Sequence, residues 1–398
     1  MPNEAPQPLL EPHRLGDLLL PSRVVMAPLT RGRARNPGHV PNDLMREYYD
    51  QRSTAGLIIT EGTWVSEGAK GWIGAPGIYN NAQGNAWRKI TDAVHANGGR
   101  IFSQLWHQGA ISHPSFFTDG RLPLAPSAID PKQMVYIDGG TAMTEIPREM
   151  TRADIGQAVS DFRNAARIAM DAGFDGIQLQ AGFVYLIQQF MHELTNHRTD
   201  EYGGSIENRA RFLFEVLDAV LEVWPSSRVG VKTGPMMNER GLFTAIDSTL
   251  PTFEYVYDKL NAYDLSHVFL MRQMADLSKT PIAALADDAV IHHFRKIYHG
   301  QMVLNVGITP KHANELISAG LGDFVAFGRE YIANPDLVER IRLHAPLNEQ
   351  RPEGYYGETA FGYTDYPFLS RKEEPVRPGA MDDGGFLMKS EQSSRREK

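Results

Sequence analysis

The chain has 398 residues, of which 42% are hydrophobic and none is cysteine. This length allows two or three ordinary domains, or one α/β barrel, because such barrels are longer than most single domains. The formal net charge is −8 and no basic run interrupts the body of the chain, so nucleic acid is not expected as a partner. The lack of cysteine excludes disulfides, thiolate catalysis and cysteine-bound metals.

The N-terminal segment lacks the basic region and apolar stretch of a signal peptide, and no apolar run is long enough to span a membrane. We therefore expect a cytoplasmic protein with no membrane partner that works as a monomer or homodimer.

Apolar runs of strand length alternate with helix-period segments along the chain, the pattern of a parallel α/β sheet. The strands are predicted at residues 24–27, 57–60, 101–105, 176–179, 228–232, 267–270, 302–305 and 324–327. Helices are predicted at residues 41–49, 86–96, 151–172, 253–260, 284–298 and 309–319, with one more after residue 204 and a last one capped at Asn334-Pro335. Counting alone leaves two folds open, a (β/α)8 barrel and a doubly wound sheet.

Residues 107–150 interrupt the alternation and are rich in proline and glycine. Two apolar stretches there, LPLAPSAI and MVYIDGGTAMTEIP, could pair as a hairpin across Gly139-Gly140. We expect a cap insertion after the third strand, within a single domain of residues 1–370. Residues 371–398 are charged and poor in large apolar side chains, so a disordered tail is predicted.

The segment after the fourth strand is unusual. It reads GIQLQAGFVYLIQQFMHELTNHRTDEYGGSIENRARF from Gly176 to Phe212, and we predict that it stays non-helical for about thirty residues, whereas most such loops have roughly two to six. His192 and His197 suggest a zinc site, but they stand five residues apart, and a shared helix face needs four. We predict no metal, and hydrogen bonds from both histidines to the loop backbone.

The motif RTDEYGGSIENRARF resembles the signature of the old yellow enzyme family, FMN-dependent ene-reductases built on a (β/α)8 barrel. Further matching fragments follow in family order: VVMAPLTR, AGLIITEGT, GGRIFSQLWHQG, FGREYIANPDL and YYGETAFGYTDYP. Together they extend from about Leu9 to about Pro367. The resemblance implies the barrel, with a cap insertion after strand 3, FMN as cofactor and NAD(P)H as reductant.

In a barrel the chemistry lies at the carboxyl ends of the strands. The residues at or just past the ends of the predicted strands are Pro28, Leu29, Thr30, Gly62, Gln104, Trp106, Lys232, Val306, Gly307, Gly328 and Arg329. From the residues alone, Thr30 and Gln104 could equally tie loops together. The resemblance implies that Pro28 and Leu29 lie beside the flavin, Thr30 near its O4 edge, Gly62 and Gln104 along its pyrimidine side and Lys232 by N1 and O2.

Phosphate binding in such barrels uses the loops after strands seven and eight. Val306 and Gly307, then Gly328 and Arg329, occupy those loops, and no dinucleotide or Walker motif is present. The sequence therefore predicts a single-phosphate site. Lys232 stands where the family normally has arginine, so a point charge replaces a planar fork of donors beside the negative edge of reduced flavin.

The substrate side departs most from the family. The family pattern is His, two small residues, Asn or His, Gly and Tyr; this chain has Gln180-Ala181-Gly182-Phe183-Val184-Tyr185. Gln180 can still donate a hydrogen bond to a substrate oxygen, but Phe183 cannot. Tyr185 matches the family's proton donor. The resemblance also implies that Trp106 and Tyr356 lie near the substrate.

The sequence thus predicts an FMN-dependent NAD(P)H oxidoreductase that reduces the activated C=C bond of a specialised small-molecule substrate. Simple enones should react poorly, since losing one donor to developing negative charge costs roughly 3 kcal/mol. Two alternatives stay open, a redox-neutral isomerase or cyclase that uses flavin and a flavoprotein with little turnover.

Overall fold

Eight parallel strands close into a barrel in this computed structural model, which describes residues 7–238 and 240–369. The strands are β1 (Val24–Met26), β2 (Leu57–Trp64), β3 (Ile101–Trp106), β4 (Gly176–Gln180), β5 (Val229–Thr233), β6 (His267–Met271), β7 (Met302–Asn305) and β8 (Phe324–Phe327). Each pairs with its neighbours in sequence, and β8 pairs with β1. The predicted (β/α)8 barrel is confirmed, and the doubly wound sheet is wrong.

Helices cover the outside of the barrel. They are α1 (Asp43–Asp50), α2 (Asn81–Ala96), α3 (Arg152–Asp171), α4 (Leu186–Met191), α5 (Ile206–Leu221), α6 (Thr249–Leu260), α7 (Ala289–Ile297), α8 (Pro310–Ser318), α9 (Arg329–Ala333) and α10 (Leu337–Arg342). Thr151 and Asp154 form a capping box at the start of α3. The last helix differs from prediction, because α9 begins directly after β8 and Asp336 precedes α10.

A short N-terminal hairpin closes the barrel at the amino ends of its strands. Its strands, His13–Leu15 and Leu18–Leu20, place three leucines in one apolar cluster with interior barrel side chains. The hairpin is attached beside the starts of β5 and β7, where Asp17 pairs with Arg228 and Gln301 accepts from the Gly16 N–H at 2.9 Å. In the part of the chain that the structure describes, this hairpin leaves the carboxyl ends of the strands open for chemistry.

The long segment after β4 contains a helix, so the prediction of about thirty non-helical residues is wrong. All six residues of α4 are buried, and such a helix shows none of the one-sided apolar pattern that reveals helices in sequences. Gln189 on α4 fixes the segment by donating to the carbonyls of Gln108 (2.9 Å) and Val184 (2.8 Å) and accepting from the Ala110 N–H (2.9 Å).

The two histidines of this segment bond to backbone or to side chains, not to each other. The His192 ring donates from Nε2 to the Thr244 carbonyl and accepts at Nδ1 from the Leu194 N–H, each at 3.3 Å. The His197 N–H donates to Ser127 Oγ at 2.9 Å, so the predicted ring bond to the loop backbone is seen for His192 only. Within residues 7–238 and 240–369, no cluster of three or more potential ligands could hold a metal.

The cap contains the predicted hairpin. Met134–Ile137 pairs antiparallel with Gly140–Met143, and Ile137 faces Gly140, so the turn is at Asp138-Gly139, one residue earlier than predicted. Two shorter strands, Leu124–Ala125 and Arg148–Glu149, pair in parallel beside it. The predicted tail at 371–398 lies outside the described residues. No helix in the described part has the length and apolarity to cross a membrane.

Candidate active site

A cavity of about 790 Å³ opens at the carboxyl ends of the barrel strands. It is bounded by the strand ends, the cap hairpin, the loop after β5 and the segment around Tyr356. All site residues predicted from the sequence line it except Gly62. Those that do are Pro28, Leu29, Thr30, Gln104, Trp106, Gln180, Phe183, Tyr185, Lys232, Val306, Gly307, Gly328, Arg329 and Tyr356.

Gly62 lies beneath Trp106 rather than in the wall of the cavity. It sits opposite Gln104 in the β2–β3 pairing, where the register of β2 shifts. A Cβ at this position would stand 2.2 Å from Cε3 of the Trp106 indole, so only glycine leaves room for the ring. The lack of a Cβ makes Gly62 a support for Trp106, and the expected flavin contact of Gly62 stays a prediction.

Lys232 provides a buried amine without an acidic partner. Its side chain is 6% exposed, and Nζ lies 5.2 Å from the centroid of the Phe269 ring. No carboxylate of the described residues pairs with it, and burial lowers the pKa of Lys232 to about 7. The charged form of such a buried amine is stabilised by a negatively charged or strongly accepting group placed beside it.

The amide of Gln104 is oriented by a polar chain inside the barrel. Gln104 Nε2 donates to Gln178 Oε1 at 2.8 Å, and Gln178 Nε2 donates to His267 Nε2 at 2.9 Å. His267 Nδ1 then donates to Ser266 Oγ at 3.0 Å, while burial lowers the pKa of His267 to about 3 and keeps it neutral. Gln104 therefore keeps its oxygen available to a ligand in the cavity.

The loops after β7 and β8 form a polar corner of the cavity, in addition to the polar side chains of Lys232 and Gln104. Val306 and Gly307 adopt φ values of 79° and 69°, so the chain turns sharply just past β7. No atom lies within 4 Å of the place where a Cβ of Gly307 would be. The Arg329 guanidinium, after β8, is exposed and pairs with no carboxylate in the described part of the chain. An open glycine backbone beside a free guanidinium suits a phosphate group.

Aromatic and amide side chains form the opposite side of the cavity. The Tyr185 ring meets Trp106 edge-on, with centroids 4.8 Å apart, and lies 5.8 Å from Phe183. Burial raises the pKa of Tyr185, so its phenol stays protonated around neutral pH. Gln180 Oε1 and Trp106 Nε1 are buried and have no hydrogen-bond partner within the described residues. Unpaired polar atoms at a cavity wall are stabilised by a ligand that pairs with them.

Three aromatic rings enclose the mouth of the cavity. Trp72, after β2, lies 5.1 Å from Tyr136 of the cap hairpin and 5.6 Å from Tyr356, and these two tyrosines are 6.1 Å apart. The sequence pointed to Tyr356 only through the family resemblance and gave no signal for the other two. Each ring comes from a different segment, so their convergence is visible only in the fold.

The C-terminal segment that carries Tyr356 is anchored by an arginine next to the site. Arg31 follows Thr30 and is 1% exposed. Its guanidinium donates to the carbonyls of Tyr355 at 2.9 Å and Gly362 at 2.6 Å. Charge-assisted bonds to backbone carbonyls hold this irregular segment in place, which fixes Tyr356 over the cavity.

Comparison with known proteins identifies the family. The sequence model of the NADH:flavin oxidoreductase / NADH oxidase family matches residues 8–348. The chain belongs to this family, the old yellow enzyme family. 12-oxophytodienoate reductase 1 of Oryza sativa subsp. japonica is 40% identical over 376 residues, which cover 93% of this chain and 95% of the relative. The predicted family membership is therefore confirmed.

Solved structures of old yellow enzyme relatives share the fold. Morphinone reductase superposes with a TM-score of 0.85 at 40% identity, covering 95% of this chain and 100% of that protein. The old yellow enzyme homologue from Zymomonas mobilis gives 0.85 at 37% identity, with 91% and 99% covered. One morphinone reductase structure contains tetrahydroNAD.

The chain is accordingly an FMN-dependent NAD(P)H oxidoreductase of the old yellow enzyme family. The residues of its cavity fit that cofactor. They offer a buried unpaired amine, an oriented amide and a corner suited to one phosphate, without a second phosphate motif in the sequence.

Proposed function

We propose that the protein reduces the activated C=C bond of a specialised substrate, with FMN bound across the barrel mouth. The arrangement that carries the proposal is the pair formed by Lys232 and Tyr185 in one cavity. Lys232 is a buried amine that a negatively charged or accepting group would stabilise. Tyr185 is a phenol that stays protonated. This combination suits hydride delivery followed by protonation.

The cofactor would be held by polar side chains at the strand ends and by the loops after β7 and β8. Thr30, Gln104 and Lys232 would contact the ring system, and Gly307 and Arg329 would bind the phosphate. When bound, FMN would supply hydride transfer from the nicotinamide to the β-carbon of the alkene. The positive charge of Lys232 would stabilise negative charge on the reduced ring beside it and would thereby support this transfer.

Protein side chains on the substrate side would orient the alkene and supply a proton. Tyr185 holds its proton at the phenol oxygen and would donate it to the α-carbon. Gln180 would donate one hydrogen bond to the activating oxygen of the substrate, whereas the Phe183 ring offers none. Trp106 and Tyr356 add apolar walls, so we expect a narrower substrate range than that of an enzyme with two donors.

Separate half-reactions test this function. The purified protein should release FMN on heating, identified by chromatography, and FAD would contradict the single-phosphate site. Without oxygen, NADPH or NADH should bleach the bound flavin, and an activated alkene should restore its colour. Bleaching without recovery by any alkene, across a panel of enones, nitroalkenes and unsaturated acids, would contradict the proposal.

The redox-neutral alternative is less favoured, because the relatives described above are reductases by name. A cytoplasmic location and a monomer or homodimer stay predictions. So does the division into one FMN-binding domain at 1–370 with its cap at 107–150.

A further inference from the structure

Arg240 lies on the loop after β5 and faces the substrate side of the cavity. Its guanidinium carbon is 5.1 Å from the centroid of the Phe183 ring. Its N–H donates to Thr244 Oγ1 at 3.2 Å, and the Thr244 carbonyl accepts from His192 Nε2. The loop is thus attached to the segment after α4, and the guanidinium rests on the face of Phe183.

The guanidinium of Arg240 has no acidic partner among residues 7–238 and 240–369, and neither has the amine of Lys132 on the cap. Both side chains line the cavity. Among residues 7–238 and 240–369, the charged residues that line the cavity are Lys132, Lys232, Arg240, Arg329 and one carboxylate, Glu330. The chain carries a net charge of −8, so this excess of positive charge is a local feature of the site.

Phe183 holds a strained backbone conformation beside Arg240. Its φ of 67° lies in the left-handed region, which bulky side chains seldom adopt. The resulting position places the ring between Tyr185 and the guanidinium. Stacking on an aromatic face restrains an arginine while leaving its N–H groups free to bind a ligand. Phe183 donates no hydrogen bond itself, but its ring is a platform for an arginine that can donate several.

We propose that Arg240 determines substrate specificity by binding a carboxylate of the alkene that is reduced, with Lys132 adding positive charge at the mouth. The preferred substrate is then an activated alkene that also carries a carboxylate. A guanidinium fork matches a carboxylate geometrically and supplies two parallel hydrogen bonds. The proposal rests on the ene-reductase function proposed above, since it names the substrate class of the same site.

Ligand binding to the oxidised, FMN-loaded protein tests the proposal without turnover. The probes are a saturated pair, 3-oxocyclohexanecarboxylate and its neutral amide, measured by titration calorimetry. We expect the acid to bind at least about fivefold more tightly than the amide, and this preference to fall as salt rises from about 0.05 to 0.5 M. Equal affinity of the wild-type protein for acid and amide would overturn the proposal.

Variants of Arg240 and of a control arginine test whether Arg240 causes the preference for the acid. Arg240→Met keeps an apolar stem on Phe183 and should abolish the preference for the acid, whereas Arg240→Lys should retain part of it. Arg121→Gln is the control, because Arg121 is an arginine of the cap that bonds to Asp119 outside this cavity. If Arg240→Met leaves the preference for the acid intact, Arg240 does not bind the carboxylate.

The phosphate of NADPH is another anion that Arg240 could bind in place of a substrate carboxylate. Measuring the two half-reactions separately distinguishes these roles. If Arg240→Met slows bleaching by NADPH but not by NADH and leaves the acid preference unchanged, the side chain serves the reductant and the proposal is overturned. If flavin is bleached and no alkene restores it while the acid still binds more tightly through Arg240, the ene-reductase function fails but the carboxylate site stands. The expected result is unchanged bleaching and an acid-selective loss in flavin recovery.

Discussion

Replacing Lys232 with methionine should stabilise the FMN-free protein at neutral pH, although it removes a charge from the active site. The amine is buried, has no acidic partner in the described part of the chain, and has its pKa lowered from 10.5 to about 7 by desolvation. Methionine fills similar space without a charge that must be desolvated, so the flavin-free protein should gain free energy of unfolding.

The size and the pH dependence of this gain in stability follow from the lowered pKa of Lys232. Between pH 7 and 10.5 the folded protein binds fewer protons at this amine than the unfolded chain, so stability rises with pH in that window. Below pH 7 the full penalty applies, which is about 5 kcal/mol at 1.36 kcal/mol per pKa unit. From about pH 6.5 to about pH 9.5 the advantage of Lys232→Met should shrink by roughly 3 kcal/mol.

Urea unfolding of the FMN-free protein, followed by circular dichroism at both pH values, measures the effect. Lys89→Met is the control, since Lys89 is exposed on α2, and its effect should be small at both pH values. Adding FMN should weaken the pH dependence of the wild-type protein, because a partner for the ammonium raises the pKa of Lys232. An advantage for Lys232→Met that is equal at both pH values, or absent, would refute the reasoning.

Three further outcomes are expected. Reduced wild-type protein should be reoxidised only slowly by cyclohexenone, and a rate typical of ordinary family members would show that Gln180 suffices as donor. Gln180→His combined with Phe183→Asn should raise this rate at least about tenfold, because two donors then converge on the carbonyl oxygen. Asparagine also tolerates the left-handed backbone at position 183. An unchanged rate with normal FMN binding would contradict the explanation by a missing donor pair. Tyr185→Phe should slow reoxidation by about 10²- to 10⁴-fold and leave bleaching by NAD(P)H unchanged, and stopped-flow absorbance distinguishes the two half-reactions.

The sequence predicts the barrel well because its strands are short apolar runs separated by clear turn and cap signals. β7 and β8 have the predicted bounds, and the Thr151 cap of α3 was recognisable from the acid three residues later. Residues at or just past the carboxyl end of a strand are placed by the barrel itself, so Thr30, Gln104 and Lys232 reach the cavity as expected.

Features that depend on contacts between distant segments could not be predicted. Helix α4 is buried on every side, so its sequence lacks the one-sided apolar pattern that marks a surface helix. The chain from Gln104 through Gln178 to His267 joins residues 74 and then 89 positions apart. Arg240 is a single arginine in an irregular loop, and only the fold shows that it stacks on Phe183.

Isotope tracing tests the central claim most directly. The enzyme is supplied with deuterated nicotinamide, labelled at the transferred position, and a carboxylate-bearing enone in ordinary water without oxygen. We predict a saturated product with one deuterium at the β-carbon and a solvent-derived hydrogen at the α-carbon, located by NMR. An isomerised or cyclised product without deuterium, and with no net consumption of the nicotinamide, would contradict the account.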